Sequence, residues 1–274
     1  MTYSFLLYEK VDGIARITVN RPQVMNVISR EVYYELDDAF TQAEEDDEVR
    51  VIVVAGAGDN FGAGHDLGTK ERLDTEKVKP QDTTPVGRMK YMDKVYWGMH
   101  DHWRNIAKPT IAMVQGYCIM GSWMLAAACD LIIVSEDVRF TDRLVRWGGA
   151  HHEYPTMFWD IGPRKAKEYL WTGDFIDGKE ALRLGMVNRV VPREKLEEET
   201  MRLAGKIALN EPLALRLSKM SVNQAVDIMG QSTAVRASCN FWTMATFCRP
   251  EGTEITVEWS KARNQAFAEF DEKQ

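Results

Sequence analysis

The sequence contains few cysteines and no pairing pattern among them. Its 274 residues include four, Cys118, Cys129, Cys239 and Cys248, with no Cys-x-x-Cys pair and no metal-type spacing to histidine. Cys118 and Cys129 stand in apolar runs, where a buried free thiol is commoner than a redox role. The cysteines therefore argue against a disulfide scaffold and predict a reducing, cytoplasmic compartment.

The sequence also lacks an excess of positive charge and any long apolar segment. The 41 acidic residues outnumber the 34 basic ones, and the formal net charge is -7. This balance argues against nucleic acid or an anionic membrane as a partner. No apolar run is long enough to cross a bilayer, and the opening MTYSFLLYEKVDG does not have the pattern of a signal peptide. An anionic substrate would need a local group of cations.

Short strands separated by helical segments make up most of the chain. FLLYEKVDGIARITVN predicts a hairpin with Asp12 and Gly13 at its tip. Ser29 is expected to cap a helix with one apolar face, formed by Val32, Leu36, Phe40 and Ala43. The runs RVIVVAGAG, TIAMVQGY, DLIIVS and GMVNRVV are typical of buried parallel strands. This alternation predicts an α/β fold with crossover connections.

The chain divides by composition near residue 195. We expect an α/β core over 1–195 and an all-helical region over 196–274, because the later segments are amphipathic helices separated by proline and glycine. No low-complexity linker separates the two parts, so they are expected to pack together. Residues 68–90, rich in Lys, Asp, Thr and Pro, are predicted to form a mobile polar loop.

Two glycine-containing turns each follow a predicted strand. The first is FGAGHDL (61–67), and the second runs from Gly116 to Gly121 at the start of a helix. Each turn can present an unpaired backbone N–H, and a helix dipole adds to the second. Two such donors that converge on one carbonyl oxygen would form an oxyanion hole. Tight structural connections are the simpler interpretation of the spacing alone.

Longer motifs in the same segments resemble the crotonase (enoyl-CoA hydratase/isomerase) superfamily. They are ITVNRPQVMNVIS, FGAGHDL, KPTIAMVQGYCIMGSWMLAAACDLIIVSEDVRF and YLWTGDFIDGKEALRLGMVNRVV, in the family's order and over nearly the whole chain. The resemblance implies a crotonase-like spiral of β-β-α repeats with a helical C-terminal trimerisation region. It also implies a homotrimer or a hexamer, an acyl-CoA thioester substrate, and no cofactor besides the coenzyme A of that substrate.

The resemblance implies that the backbone N–H groups of His65 and Gly121 hold the thioester oxygen as an enolate forms. The hydratases of the family carry two glutamates, but the corresponding residues here are Met124 and Leu144, which neither activate water nor protonate carbon. A lone acid a few residues further on, as in the family's isomerases, corresponds to Glu153. We therefore predict a double-bond isomerase or a related proton transfer with Glu153 as acid and base, and Asp142 as the second choice.

Several other residues are expected near the substrate. Burial beside Trp123, Met124, Trp147 and Phe158 is expected to raise the pKa of Glu153 towards neutrality. Arg21, or Lys261 and Arg263, are candidates for contacts with the phosphates of coenzyme A, although surface solvation is the simpler role. The predicted substrate contacts are Arg21, Ala63, Asp66, Leu67, Gly116, Met124, Trp147, His152 and Tyr154.

Alternative interpretations stay open at this point. Glu153 and Asp142 are equally typical of loop or capping residues, and Trp123 and Met124 of core packing. A metal site at His151 and His152 lacks a third ligand at a recognisable spacing. Other functions are hydration by Asp142 with Glu153, carbon–carbon bond hydrolysis by His151 or His152 with Asp142, and acyl-CoA binding without catalysis. The large aromatics Trp97, Trp103, Trp147 and Trp159 would allow a bulky or cyclic acyl group.

Overall fold

The computed structural model describes residues 2–78, 82–248 and 257–272. Among these residues, nine strands form two sheets: β1 Leu6–Val11, β2 Ile14–Val19, β3 Val51–Gly56, β4 Thr110–Val114, β5 Tyr117–Ile119, β6 Leu131–Ser135, β7 Arg139–Thr141, β8 Ile176–Asp177 and β9 Arg189–Val191. The first eight α-helices are α1 Arg30–Glu45, α2 Lys70–Val78, α3 Pro85–Tyr91, α4 Gly98–Asn105, α5 Gly121–Ala127, α6 Met157–Asp160, α7 Pro163–Thr172 and α8 Gly178–Leu184. Four more follow: α9 Leu196–Ala208, α10 Pro212–Ile228, α11 Gln231–Phe247 and α12 Val257–Asp271.

The larger sheet has six strands in the order β1-β2-β3-β4-β6-β9. β1 and β2 pair antiparallel across a two-residue turn, in which Asp12 and Gly13 adopt φ of 50° and 75°. The remaining neighbours pair parallel, as their uninterrupted apolar runs predict. The predicted hairpin and buried strands are confirmed.

Helices cover both faces of this sheet. On one face, β2, β3 and β4 pack against Leu196 and Ala204 of α9. The other face packs against α1, whose predicted apolar residues Val32, Leu36, Phe40 and Ala43 are all fully buried. α1 begins where predicted, since the Ser29 hydroxyl accepts a hydrogen bond from the Val32 N–H at 3.3 Å.

A second layer of very short pairings carries the two glycine turns. β5 pairs parallel with β7, which pairs antiparallel with β8. Single bridges extend this layer, one joining Gly62 to Cys118 and one joining Ile28 to His65. The Gly62–Cys118 bridge puts the FGAGHDL turn directly beside β5.

The region from 68 to 90 differs from the predicted polar loop. α2 and α3 occupy most of it, and α3 continues through a π-helical turn, Met92–Trp97, into α4. Thr84 caps α3 by accepting the Gly87 N–H at 3.1 Å, and Pro85 stands at the first helical position. Of the described residues in this segment, Gly87 alone is buried. The buried apolar side chains Met92 and Val95 come in the π-helical turn that follows it.

The helical region after residue 195 packs on the α/β core, as expected. α9 covers the large sheet, α11 contacts α3 and the π-helical turn, and α12 contacts residues 144–147. A boundary at residue 195 stays a prediction, and residues 249–256 and 273–274 of the predicted helical region lie outside the described residues. No helix in the described part of the chain is long and apolar enough to cross a membrane.

Candidate active site

Backbone hydrogen bonds fasten the two glycine turns to each other. The Gly62 N–H donates to the Tyr117 carbonyl at 2.9 Å, and the Ile119 N–H donates back to the Gly62 carbonyl at 3.0 Å. The hydroxyl of Ser122, in the first turn of α5, accepts the Gly64 N–H at 3.0 Å. A Cβ on Gly62 would lie 2.2 Å from that hydroxyl oxygen, so glycine is required at this contact.

Two backbone N–H groups stand without an acceptor where the turns meet. Within residues 2–78, 82–248 and 257–272, no hydrogen bond is formed by the N–H of His65 or of Gly121, the first residue of α5. The two turns are close, because a Cβ on Gly64 would lie 3.5 Å from the Gly121 nitrogen. Met120, between β5 and α5, adopts φ 43° and ψ −112°, a strained conformation for a non-glycine residue. This geometry suits an anion or a developing oxyanion.

The His65 side chain binds the carboxylate of Glu153. His65 Nε2 lies 3.0 Å from Glu153 Oε2, and Glu153 is only 2% exposed. Burial raises the pKa of this carboxyl, but the contact with His65 outweighs it and holds the pKa of Glu153 below its ordinary value. The predicted rise towards neutrality is therefore wrong, because contact between the imidazole of His65 and this carboxylate depends on tertiary packing across 88 residues.

The imidazole of His65 is held from several sides. A Cβ on Gly121 would lie 2.6 Å from His65 Cε1, so the ring rests on the α-carbon of that glycine. The rings of Tyr96 and Tyr33 lie 4.8 and 6.0 Å from the imidazole centroid. His65 Nδ1 is buried and forms no hydrogen bond within the described residues. The ring orientation is thus fixed by packing and by Glu153.

A cavity of about 390 Å³ opens beside this pair. Six of the predicted site residues line it: Ala63, His65, Asp66, Leu67, Trp147 and Glu153. The other lining residues are Ile28, Ser29, Arg30, Glu31, Tyr33, Arg72, Thr75, Glu76, Arg88, Tyr91, Tyr96, Ile119, Met120, Arg143, Leu144 and Trp242. The wall combines aromatic rings with four arginines, and Gly121 adjoins it directly behind His65.

The simpler expectation that Arg21 is solvated at the protein surface is wrong, because Arg21 is buried. Its guanidinium is 1% exposed and pairs with Asp66 at 3.1 Å, with Glu71, and with the Val27 carbonyl at 2.7 Å. Asp66 also accepts the Thr69 hydroxyl at 2.6 Å. Arg21 therefore fixes the entry of the first glycine turn and is absent from the cavity wall of the described residues. Its predicted contact with substrate stays a prediction.

Three other predicted contacts lie behind the cavity wall. Met124 is fully buried in the core, and Trp123 packs beside it against Phe140 and His152, so the alternative of core packing describes both. Burial lowers the pKa of His152 to about 3. Tyr154 stacks on His100, with 5.1 Å between the ring centroids.

Two further expectations concern positions away from the cavity. Gly116 adopts φ 56° next to the Asp59 carbonyl, in the connection from β4 to β5. Of the four large aromatics expected to shape the acyl site, Trp147 alone is among the cavity residues of the described chain, and Phe158 packs instead against His151.

Asp142 stabilises the loop that carries Glu153 through hydrogen bonds with its backbone. Its two carboxylate oxygens accept the Leu144 N–H at 3.0 Å and the His152 N–H at 2.6 Å. Burial raises the pKa of Asp142 to about 6. These contacts match the capping interpretation, and Asp142 bonds the backbone of His152 and not its imidazole. An Asp–His pair of the kind expected for a carbon–carbon bond hydrolase is therefore not formed by these residues.

Several cavity residues were not identified from the sequence. Arg88 comes from the segment assigned to a polar loop, Tyr91 and Tyr96 follow directly after that segment, and Trp242 comes from α11, more than a hundred residues away. The aromatic residues of RMKYMDKVYW (88–97) were the available indication. The described residues contain no group of three or more potential metal ligands.

Comparison with known proteins gives consistent results. A family model described as enoyl-CoA hydratase/isomerase matches residues 9–253. A Mycobacterium tuberculosis protein provisionally named enoyl-CoA hydratase EchA13 is 40% identical over 248 residues, covering 85% of this chain and 78% of that protein. The crotonyl-CoA hydratase of Syntrophomonas wolfei is 30% identical over 269 residues, covering 96% and 98%.

Solved structures are similar over the same length. A probable enoyl-CoA hydratase from Mycobacterium smegmatis superimposes with a TM-score of 0.82 at 40% identity, covering 89% of this chain and 95% of that one. An enoyl-CoA hydratase/isomerase from Xanthobacter autotrophicus Py2 gives 0.83 at 30% identity, with 98% and 97% covered. The likeness therefore includes both the α/β core and helices of the C-terminal region.

Proposed function

The chain belongs to the enoyl-CoA hydratase/isomerase family, and we propose that it is a double-bond isomerase that moves a proton through a thioester enolate. Family membership makes it an acyl-CoA enzyme with the crotonase fold. The observation that carries the narrower proposal is the 3.0 Å contact between Glu153 and His65. It puts one buried carboxylate beside the residue whose N–H faces the junction of the two glycine turns.

The first step is polarisation of the thioester carbonyl. Its oxygen accepts hydrogen bonds from the N–H groups of His65 and Gly121, and both bonds strengthen as negative charge develops. One donor of this kind contributes about 3–4 kcal/mol to transition-state stabilisation. The bond from Gly64 N–H to the Ser122 hydroxyl keeps the two turns in register, so the donors are positioned before substrate arrives.

Proton transfer then needs one group that is first a base and then an acid. Glu153 is ionised at neutral pH because its pKa lies below the ordinary value, so it is ready to accept a proton from the substrate carbon. Once protonated, it loses the charge-assisted bond with His65, which favours return of the proton to another carbon of the dienolate. A 1,3-shift uses this single carboxylate in both directions.

Hydration is the second candidate, because the similar proteins of M. tuberculosis and S. wolfei are named hydratases. It would require Glu153 both to activate water and to supply the proton at the α-carbon, or a second group to share the work. Asp142 does not offer that second group, since both its oxygens are engaged by backbone N–H groups. Isomerisation needs only one acid/base group, which Glu153 supplies.

The proposal extends to the setting of the reaction. We place the enzyme in the cytoplasm, which the four unpaired cysteines support, and we propose that it uses no cofactor besides the coenzyme A of its substrate. A homotrimer, or a hexamer of two trimers, is proposed from the family resemblance. Exposed apolar side chains on α10 and α11, among them Leu217, Met220 and Phe241, support burial of these helices between subunits.

The test is proton exchange in D₂O with 2-enoyl-CoA and 3-enoyl-CoA thioesters, followed by mass spectrometry. We expect deuterium uptake and interconversion of the two isomers without a gain of the mass of water. Glu153→Gln should slow the exchange by about 10²–10⁴-fold. Glu31→Gln, which changes another cavity glutamate, is the matched control and should retain most of the rate.

Each other outcome assigns a different function. A product heavier by one water molecule, lost in the Glu153→Gln variant, would make the chain a hydratase. Exchange that is unchanged in Glu153→Gln would remove this residue from the mechanism. Thioesters that bind without any exchange would indicate an acyl-CoA-binding protein that is not a catalyst.

A further inference from the structure

Arg88 is a cavity residue whose charge has no counterpart among the described residues. It lies on α3 and stacks on Trp242 of α11, with 4.9 Å from the guanidinium carbon to the ring centroid. No carboxylate of the described residues lies within 4.0 Å of it, and its Nε is buried without a hydrogen-bond partner. A cation held in this way gains from an anion that enters the cavity.

The other charged groups of the cavity each have a polar partner, and all but Arg143 have one of opposite charge. Arg72 pairs with Glu76 at 3.0 Å, and Arg30 pairs with Glu31 at 3.3 Å. Asp66 is held by Arg21, and Glu153 by His65. Arg143 donates to the Gly173 carbonyl at 3.1 Å and stacks on Phe175. Arg88 is thus the cation of the described cavity wall that lacks any polar partner.

Arg88 and Glu153 line the same cavity. It shares a helical face with Tyr91, three residues later, and the π-helical turn brings Tyr96 onto the same cavity wall. The charges of Glu153 and Arg88 both act on the phenol of Tyr96, so both groups lie near this ring. An acyl group whose α-carbon meets Glu153 would extend along these tyrosines towards Arg88.

We propose that the acyl group ends in a carboxylate that binds Arg88 over the face of Trp242. The substrate class is then the coenzyme A monothioester of a dicarboxylic acid. This inference rests on the proposed function, since it assumes that the cavity accepts an acyl-CoA. The planar guanidinium suits bidentate binding of a carboxylate, and stacking on Trp242 holds the guanidinium in place.

The test compares binding of glutaryl-CoA and pentanoyl-CoA, which have acyl chains of the same number of carbons, by calorimetry. We expect the native protein to bind glutaryl-CoA at least 10-fold more tightly. Arg88→Met should weaken glutaryl-CoA binding by about 10–100-fold and leave pentanoyl-CoA unchanged or tighter, as expected for loss of a charged hydrogen bond. Arg88→Lys should retain part of the preference.

Controls separate this result from misfolding and from contacts with coenzyme A. Arg164→Met, at an exposed arginine on α7, should leave both affinities unchanged, and thermal unfolding should show that each variant folds. Equal weakening of glutaryl-CoA, pentanoyl-CoA and free coenzyme A in Arg88→Met would assign Arg88 to the coenzyme phosphates and overturn the proposal. The absence of a glutaryl-CoA preference in the native protein would also overturn it.

These measurements do not depend on turnover. If Glu153→Gln leaves proton exchange unchanged, the proposed mechanism fails, while a glutaryl-CoA preference lost in Arg88→Met still supports the ligand class. If exchange behaves as proposed but the preference is absent, only the dicarboxylate inference fails. The two proposals can therefore be rejected separately.

Discussion

His65 contributes to the candidate site through both its backbone and its side chain. Its N–H has no acceptor within the described residues, and its imidazole binds Glu153. The sequence resemblance identified the first role alone. The second explains why a carboxylate that is 2% exposed has a lowered pKa, since burial by itself acts in the opposite direction.

The pH dependence of proton exchange tests this control of Glu153. Because the pKa of Glu153 is lowered, its carboxylate persists down to below the ordinary value of 4.5, so the native rate should be level from neutral pH to about pH 5 and fall at lower pH. His65→Ala removes the contact that lowers the pKa and leaves burial, so the acidic limb should move above 4.5. The rate profile of both proteins between pH 4 and 8 measures the shift.

A second variant separates the hydrogen bond from the loss of the ring. His65→Gln puts an amide nitrogen close to the position of Nε2, so its acidic limb should lie nearer to the native one than that of His65→Ala. Coincident limbs in the native protein and in His65→Ala would show that His65 does not set the pKa of Glu153.

At the scale of elements, the π-helical turn between α3 and α4 shapes the cavity wall. Tyr91 and Tyr96 are five residues apart and would point about 140° apart on an α-helix. The wider π-turn, closed by i to i+5 hydrogen bonds, brings both tyrosines to the cavity. Gly98 permits it, because its N–H reaches back to the Asp93 carbonyl with no side chain in the way.

Alanine at Gly98 should therefore destabilise the protein, although alanine usually stabilises a helix. A Cβ there would lie 2.8 Å from the Asp93 carbonyl oxygen, and overpacking of this kind costs about 1–3 kcal/mol of the free energy of unfolding. Gly205→Ala in α9 is the matched control, since no atom lies within 4 Å of its new Cβ and it should stabilise by about 0.5–1 kcal/mol. Urea unfolding measures both, and a stabilised Gly98→Ala would contradict this account of the turn.

The elements that the sequence predicts correctly are those defined by local patterns. The Asp12-Gly13 hairpin, the Ser29 cap and the apolar strand runs depend on neighbouring residues, and all three are confirmed. The helices within 68–90 were missed because the few apolar residues of α2 do not form one apolar face, and because the π-turn that follows α3 has no simple periodicity. Trp242 and the His65–Glu153 contact depend on tertiary packing across large sequence separations, which a single sequence does not record.

At the scale of the whole molecule, the core encloses histidines and aspartates that change the free energy of unfolding in opposite directions as the pH falls. Burial lowers the pKa of His100 and of His152 to about 3, so the unfolded chain binds protons there below pH 6.5 and stability falls as the pH falls. Burial raises the pKa of Asp142 and of Asp160 to about 6. Between pH 6 and 3.8 the folded chain therefore binds more protons than the unfolded chain, and stability rises as the pH falls. The two pairs partly cancel in acid.

Replacing one of these histidines should reduce the loss of stability on acidification by a measurable amount. His100→Asn keeps a donor for the Tyr96 carbonyl, which His100 Nδ1 approaches at 2.6 Å, but it does not titrate. Between pH 7 and 5 it should lose about 2 kcal/mol less of the free energy of unfolding than the native protein. Denaturant titrations at the two pH values give this difference.

His102, two residues along α4, supplies a contrasting control. Its hydrogen bond with Asp37 at 2.8 Å raises its pKa, so its contribution to stability is present at low pH and is lost as the pH rises. His102→Asn should therefore lose more stability than the native protein on acidification. Equal pH dependence in both variants would exclude the burial of a neutral His100.

The double role of His65 has a consequence for regiochemistry. In the proposed mechanism, His65 would donate one of the two hydrogen bonds to the thioester oxygen and also hold the carboxylate that removes the proton, so the distance between oxygen and base would depend largely on one residue and its 3.0 Å contact. The far end of the acyl group contributes nothing to that separation. Thioesters of different lengths should accordingly be deprotonated at the same carbon, counted from the sulfur, and differ only in how tightly they are held.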